Sequence, residues 1–286
     1  MSNQLKEGRQ KAEGQSDPAI VLRDGRTDHM GKGGAGGLRE QKTNTAGRNV
    51  PNKTVRRTLF ELNAKAKADR NYRFRSLYRE INLTMLYECY HELSKNAAAG
   101  VDGMTAEEYG KNLDERLLDL WERLISKRYR AQMVRRRHIP KGKGKTRPLG
   151  IQALEDKIVQ MAAGKLLSAI YEADFRDSCV GYRPRKGARE ATQKLQHELY
   201  HSKVGWIVEA DIKGFFDCVD HEWLLKMLRQ RVDDRAFVRL VRKWLKAGVT
   251  EEGGEVTHPE AGTPQGGIIS PILANIYLHY ALDLWV

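Results

Sequence analysis

Through residues 1–58 the chain shows no sustained apolar period. Gly, Asn, Gln and charged residues dominate there, which predicts a disordered leader over 1–58. From Leu59 the texture changes. Helix formers run without Gly or Pro through TLFELNAKAKADRNYRFRSLYREINLTMLYECYHELSK, which predicts one broken helix or two consecutive ones. NAAAGVDGMT is then a loop, with Thr105 placed as an N-cap and Glu108 completing a capping box. The helix that follows aligns Leu113, Leu117, Leu120, Trp121 and Leu124 on one face. MVRRRHIPKGKGKTRPLGI reads as strand, turn and strand, with the Gly-Lys repeats in the turn. Helices are expected at about 153–174 and 187–202. The short apolar run VGWIVEADI, with alternating character, predicts a buried strand. Two helices at about 221–231 and 234–247, a small hairpin around Gly253-Gly254 and a closing helix complete the pattern.

The closing helix carries strong start signals, with Ser270 as N-cap and Pro271 at the first helical position. Asn275, His279 and Asp283 recur every four residues and share a face, while Ile272, Leu273, Ile276 and Tyr280 lie mostly away from it. A membrane span of about 20 residues does not ordinarily carry a polar stripe with an aspartate. The pattern therefore predicts an amphipathic core helix, to be covered by strands of a longer chain, rather than a membrane anchor.

Composition sharpens this picture. The 286 residues suffice for one large domain or two of ordinary size, and an apolar share of 40% supports a globular core. Lys and Arg number 50 against 37 acids, for a net charge of +13. Ten of those cations fall between Lys127 and Arg147, where no acid occurs. Such a concentration points to a phosphate-binding surface more than to a solvated face. Cys89, Cys179 and Cys218 form no CxxC pair, which argues against a zinc site or a disulfide framework and fits a reducing cytoplasm. No apolar signal-peptide core is visible at the N-terminus.

Three stretches carry candidate chemistry. KGKGKT at Lys141 to Thr146 ends like a Walker A loop, but that motif needs a glycine where Ile139 stands and a helix where a strand follows. Lysines on a hairpin tip near Arg147 instead suit a mobile clamp on polyphosphate. In EADIKGFFDCVDH, Asp211 closes the apolar run, with Glu209 on the same face and Asp217 and Asp220 in the turn beyond. Metal-assisted phosphoryl transfer needs carboxylates in pairs or threes around two ions about 4 Å apart; alone, Asp211 reads equally as a cap or a loop carboxylate. In AGTPQGG, glycines and a proline fix a sharp turn that presents Gln265. GKGGAG at Gly31 to Gly36 matches GxGxxG but has no strand before it or helix after it, so it is not read as a dinucleotide site.

In order, AAAGVDGMT, KTRPLGIQALEDKIVQ, VGYRPRKGA, EADIKGFFDCVDH and GTPQGGIISPILANIYLH resemble the successive blocks of group II intron reverse transcriptases, or intron-encoded maturases. The resemblance runs from about Asn71 to Val286. It implies an α+β right-hand polymerase fold, with helix-rich fingers over 59–204 and an incomplete palm sheet over 205–286. It implies Mg²⁺ as cofactor, and as partners a group II intron RNA template, a DNA or RNA primer and dNTPs, with no membrane. By position Asp211 matches the first catalytic aspartate and the Ile212 carbonyl a metal ligand. Phe216 matches the steric gate against a ribose 2′-hydroxyl, with Phe215 as its rival one residue away. Lys141 and Arg147 match the grip on the incoming triphosphate, and Gln265 the residue that touches the nascent pair. The loop with Gly100 and Asp102 resembles the block that covers template and primer. Arg135, Arg136, Arg137, Lys143 and Lys145 are candidate nucleic-acid contacts. Gln152 replaces a usual proline, and RPRKGA a more common Arg-Pro-Gly-Arg-Ser. No Tyr-x-Asp-Asp block occurs, so the expectation is a palm cut short and a chain inactive alone. The runner-up is an RNA-binding splicing cofactor that does not polymerise. An unrelated basic nuclease would need a His in an acidic cluster, and His221 is the candidate nearest Asp211.

Overall fold

A computed structural model describes residues 54–142, 145–263 and 266–285. The leader expected over 1–58 thus lies almost wholly outside the described residues. Helix α1 (Val55–Ala68) begins earlier than Leu59, because the Thr54 side chain caps it by accepting the Arg57 amide at 3.4 Å. The predicted broken helix continues as α2 (Leu77–Glu80) and α3 (Leu83–Glu92). The Thr105–Glu108 capping box forms as expected and opens α4 (Ala106–Gly110). Next, α5 (Leu113–Ile125) buries Leu117, Leu120 and Leu124. The basic hairpin is β1 (Val134–Gly142) and β2 (Lys145–Ile151), followed by α6 (Leu154–Tyr171) and α7 (Ala188–His201). Beyond a one-turn helix, α8 (Phe215–Cys218), come α9 (His221–Arg231), α10 (Arg235–Leu245), β3 (Val249–Thr250), β4 (Val256–Thr257) and α11 (Ser270–Leu278).

The architecture is α+β. One helical core surrounds α6, which is buried nearly all round, with Asp156, Gln160 and Lys165 among its buried residues. Helices α1, α3 and α11 pack on α6, and α9 joins α11 to α10. The sheet has the order β2-β1-β3-β4, antiparallel except for the parallel β1–β3 pair. Its hairpin exposes Arg137 and Lys141, while Arg135, Arg136 and Arg147 are half-buried.

Two buried polar knots hold this frame. Arg231 is 2% exposed and pairs with Asp174 at 2.9 Å. Its guanidinium also donates to the carbonyls of Ala66 (3.1 Å), Asp69 (3.0 Å), Arg70 and Tyr72 (3.2 Å), so α9 clasps the C-terminal end of α1. The second knot sits under the hairpin. Asp156 accepts from the Tyr129 hydroxyl and from the Gln132 amide at 2.9 Å, while Trp244 Nε1 donates to Tyr129 at 2.9 Å.

Two expectations fail. Residues 204–212 do not form a buried strand: Trp206 is 92% and Val208 89% exposed, and nothing among the described residues pairs with this backbone. Apolar alternation reports a surface that can be covered, whereas a strand also needs a ladder partner. The closing helix differs too. Ile269, not Ser270, is its N-cap, and Ile272, Leu273 and Ile276 are already buried against α6 and α9. No helix of the described residues is long and apolar enough to cross a membrane.

The Asp156 knot makes stability depend on pH. Burial pushes this carboxyl from 3.8 up to about 6, against the hydrogen bonds from Tyr129 and Gln132. A raised acid pKa means that the folded state holds the proton more tightly. Its contribution is therefore complete below about pH 4 and lost as pH rises through about 6. A shift of about 2 units corresponds to roughly 3 kcal/mol. Urea midpoints across pH 4–6.5 should fall with this term in the parent, and Asp156→Asn should flatten that slope.

Candidate nucleotide and nucleic-acid site

Three chain segments that are distant in sequence meet through backbone contact. Gly262 has φ +88°, and a β-carbon there would lie 2.8 Å from the carbonyls of Phe216 and Asp217. The Gly262 and Thr263 amides donate to Val219 and Phe216 carbonyls, each at 2.7 Å, and Asp220 bridges Ala261. Gly266 has φ +94°, and a β-carbon there would meet Leu149 Cδ1 at 2.6 Å and the Gly150 carbonyl at 2.9 Å. The turn entering α11 is thus pressed between the Phe215–Cys218 helix and strand β2. Only glycine tolerates both the left-handed backbone and the approach. His221 Nε2, 5% exposed, lies 2.6 Å from the Gly262 carbonyl and fixes the same turn.

Asp211 lies on the exposed segment before this junction. The Ile212 side chain, 53% exposed, lines a shallow apolar hollow with Phe215, Cys218, Val219, Tyr277 and Leu278. The two phenylalanines have different surroundings. Phe215 packs on the core, with its ring 6.1 Å from Tyr277. Phe216 is half-buried and meets Tyr182 edge-on at 6.5 Å. Tyr182 itself holds φ +53°, an uncommon conformation for a non-glycine residue. Its neighbour Arg183, 4% exposed, anchors it by a forked pair to Glu172 (3.1 and 2.9 Å) and bonds to the Arg176 and Cys179 carbonyls (2.6 and 2.7 Å). Asn275 Nδ2 donates to the Gly181 carbonyl at 2.9 Å, and Cys179 Sγ lies 3.0 Å from Asp283. The polar stripe of the closing helix therefore faces this loop.

On the hairpin, Ile139 stands opposite Arg147, and Lys141 falls where the register shifts between Pro140 and Gly142. The three consecutive arginines are not equivalent. Arg135 donates to the Ala99 carbonyl at 2.5 Å, Arg136 pairs with Glu251 at 3.3 Å, and Arg137 pairs with Glu252 at 3.4 Å. Arg135 and Lys157, which donates to the Ala98 carbonyl at 2.7 Å, pin the loop before Gly100. A β-carbon on Gly100 would lie 2.5 Å from the Ala153 backbone, so this loop lies flat on the β2–α6 junction. Asp102 turns inward on its own loop, accepting the Met104 amide at 3.2 Å. Lys143, Gln265 and the side chain of Lys145 lie outside the described residues.

The structure thus joins Phe216, the Gly262–Gly266 turn and β2, and leaves Asp211 exposed beside them. Arg183, Asn275 and Tyr182 were not singled out as site residues by the sequence, although the VGYRPRKGA block and the stripe of Asn275, His279 and Asp283 contain them, and His221 was named only for the nuclease reading. His221 is occupied with a backbone carbonyl, which removes the nuclease reading's candidate. No group of three His, Cys, Asp or Glu among the described residues could hold a metal ion. Asp211 and the Ile212 carbonyl do not make a complete two-ion centre.

The reverse transcriptase (RNA-dependent DNA polymerase) family profile matches residues 139–286. The group II intron-encoded protein LtrA of Lactococcus lactis subsp. cremoris is 37% identical over 215 residues, covering 74% of this chain and 35% of that protein. Protein YkfC of Escherichia coli (strain K12) is 38% identical over 183 residues, covering 63% and 48% respectively. An uncharacterised 91 kDa protein in the cob intron of Schizosaccharomyces pombe is 33% identical over 231 residues, covering 77% and 28%. The chain therefore spans about a third to a half of the length of the first two, and less of the third.

The glycine contact at the centre of the junction sets a direct test. Gly262→Ala should lower stability by about 2–3 kcal/mol, from left-handed strain and overpacking together. Gly253→Ala, with nothing within 4 Å of its β-carbon, should stay within about 0.5 kcal/mol. Urea denaturation of both variants measures the contrast.

Proposed function

The chain belongs to the reverse transcriptase (RNA-dependent DNA polymerase) family, among the group II intron-encoded proteins and maturases, and on that premise we propose that it forms the fingers and part of the palm of an RNA-directed DNA polymerase. The observation that supports this reading is the backbone junction that brings Gly262 and Gly266 against the Phe216 turn and strand β2, the segments to which the reading assigns the sugar and triphosphate contacts. Residues 59–204 are read as fingers and 205–286 as palm. Lys141 and Arg147 hold the triphosphate of the incoming dNTP, since guanidinium and ammonium groups on a strand hairpin suit phosphate oxygens. Phe216 lies against the sugar and excludes a 2′-hydroxyl. The packing of Phe215 on the core supports Phe216 as that gate. Gln265 contacts the nascent pair, and the loop with Gly100 and Asp102 lies over template and primer.

The family works with divalent metal ions. Mg²⁺ is the ion proposed, with Asp211 and the Ile212 carbonyl as two of its donors. These two donors do not complete a two-ion ligand set, and on this reading the 286-residue chain alone extends no primer. A second reading, an intron RNA-binding splicing cofactor, is favoured by one contrast. Arg137 and Lys141 are exposed on the hairpin, while no complete metal-binding group is found among the described residues.

Asp211→Ala separates the two. In an extension-competent polypeptide containing this segment, it should abolish DNA synthesis by at least about a thousandfold, roughly 4 kcal/mol of transition-state stabilisation. Intron RNA affinity should stay unchanged or rise slightly, because one acid is removed. Lys141→Ala and Arg147→Ala should instead raise the KM for dNTP. Primer extension with filter binding decides, and synthesis kept within tenfold in Asp211→Ala would remove Asp211 from the metal site.

RNA binding by the chain itself is read from salt dependence. Surface pairs such as Arg136–Glu251 and Arg137–Glu252 contribute about 0–1 kcal/mol each and yield readily to phosphate. Single-stranded RNA binding should show a log–log salt slope near −4 for about six contacts, at roughly 0.7 each. The variant Arg136→Gln, Arg137→Gln, Lys141→Gln should reduce its magnitude by about 2, leaving the Arg135–Ala99 bond in place.

A further inference from the structure

Helix α10 divides its side chains sharply. Phe237, Val238, Leu240, Val241, Trp244 and Leu245 are buried. Arg235, Arg239 and Arg242 recur at i, i+4 and i+7 on the side away from the core, and the helix contains no acid. Together with Arg229 they line a cavity of about 520 Å³ between the ends of α9 and α10. Two acids also line it, and both are engaged elsewhere. Asp234 caps α10, accepting the Ala236 and Phe237 amides at 2.9 and 3.1 Å, and takes the Tyr78 amide at 2.9 Å. Asp233 pairs with Arg73 and Arg75 at 3.7 and 3.2 Å. Arg242 pairs with Glu222 at 2.9 Å, but Arg235 and Arg239 have no carboxylate partner among the described residues.

The positive field does not stop at the cavity. Lys243, on the next turn of α10, donates to the Tyr129 carbonyl. Its pKa is lowered by burial first, then by the nearby charges of Arg239 and Arg130. Arg130 belongs to the basic segment that leads into β1. Like charges crowded without counter-charges cost folding energy, and a bound polyanion relieves that cost.

We propose that the arginine groove of α10 is a second nucleic-acid site, a track for an RNA phosphate backbone that continues from the basic hairpin past Arg130 and Lys243. The chemistry favours phosphate because guanidinium forks match paired phosphate oxygens. A lipid surface fits poorly, because an interfacial helix turns its apolar face to lipid and here that face is in the core. The inference rests on the nucleic-acid reading of the chain but assigns a surface separate from the hairpin and the Asp211 segment.

The test uses the 286-residue chain, a stem-loop RNA and filter binding across a salt series. Arg235→Glu with Arg239→Glu leaves the Arg242–Glu222 pair intact. It should weaken binding at least tenfold and reduce the magnitude of the salt slope by about 1.4–1.8 for two lost contacts. If reversal unfolds the chain, as circular dichroism and a urea melt would reveal, Arg235→Gln with Arg239→Gln is judged by the same direction of change. Unchanged RNA binding in the folded groove variant, while the hairpin variant weakens, overturns the groove and leaves the proposed function standing. Weakening in the groove variant alone supports the groove and overturns the hairpin assignment. A parent chain that binds no RNA overturns both. Loss of binding to phosphatidylserine vesicles with RNA affinity intact assigns the groove to a membrane surface and overturns the proposal.

Discussion

The site depends on a steric constraint: backbone must touch backbone where the turn entering α11 is caught between strand β2 and the Phe215–Cys218 helix. Gly262 leaves no room for a β-carbon against the Phe216 and Asp217 carbonyls, and Gly266 leaves none against Leu149 and Gly150. Both hold left-handed backbone, so the turn is shaped for this place and no other residue type enters it without strain. The consequences spread outward. The approach lets Gly262 and Thr263 hydrogen-bond to the Phe216 turn, lets His221 close on the Gly262 carbonyl, and seats α11 on α6 and α9. A junction of this kind is rigid because its contacts are short and involve atoms that cannot rotate away.

The frame around the junction follows a different rule. Two buried charged groups are each met by several partners. Arg231 satisfies the end of α1 and the Asp174 carboxylate together, and Asp156 gathers Tyr129 and Gln132 beneath the hairpin. Such knots are costly when half satisfied, so they specify one arrangement of the helices more than they add net stability. They also set where the sheet stands. The hairpin base is gripped from below, while Arg137 and Lys141 farther along stand exposed.

The sequence was legible wherever one segment contained its own reason. The Thr105 capping box, the apolar face of Leu117, Leu120 and Leu124, and the Gly-Lys turn all rest on nearest neighbours, and the helices and hairpins appear where periodicity placed them. It misled where the reason lay in another segment. The run VGWIVEADI has the pattern of a buried strand but no described neighbour to pair with, so its tryptophan and valines stand in solvent. Arginines were the least readable residues. Arg135, expected as a nucleic-acid contact, and Arg183 and Arg231, which had no assigned role, proved to be internal ties, because the carbonyls and carboxylates that hold them lie up to 165 residues away. The Asn275 stripe was visible, but not the loop at Gly181 that it binds.

These two kinds of construction divide the labour of the molecule. Phosphate recognition asks for many cations on a firm support, each contributing a little, and tolerates imperfect placement of any one. Under the proposed readings the hairpin and α10 supply those cations, with Arg137, Lys141, Arg235 and Arg239 exposed on anchored elements. Metal-assisted chemistry asks the opposite: a few carboxylates fixed to within a fraction of an ångström. The segment carrying Asp211 is anchored at its far end by the Phe216 turn but unsupported along its backbone. A strand laid beside 204–212 would bury Trp206 and Val208 and fix Asp211 in one step. Under the proposed reading the cationic surface needs no such completion, so RNA affinity should be separable from synthesis.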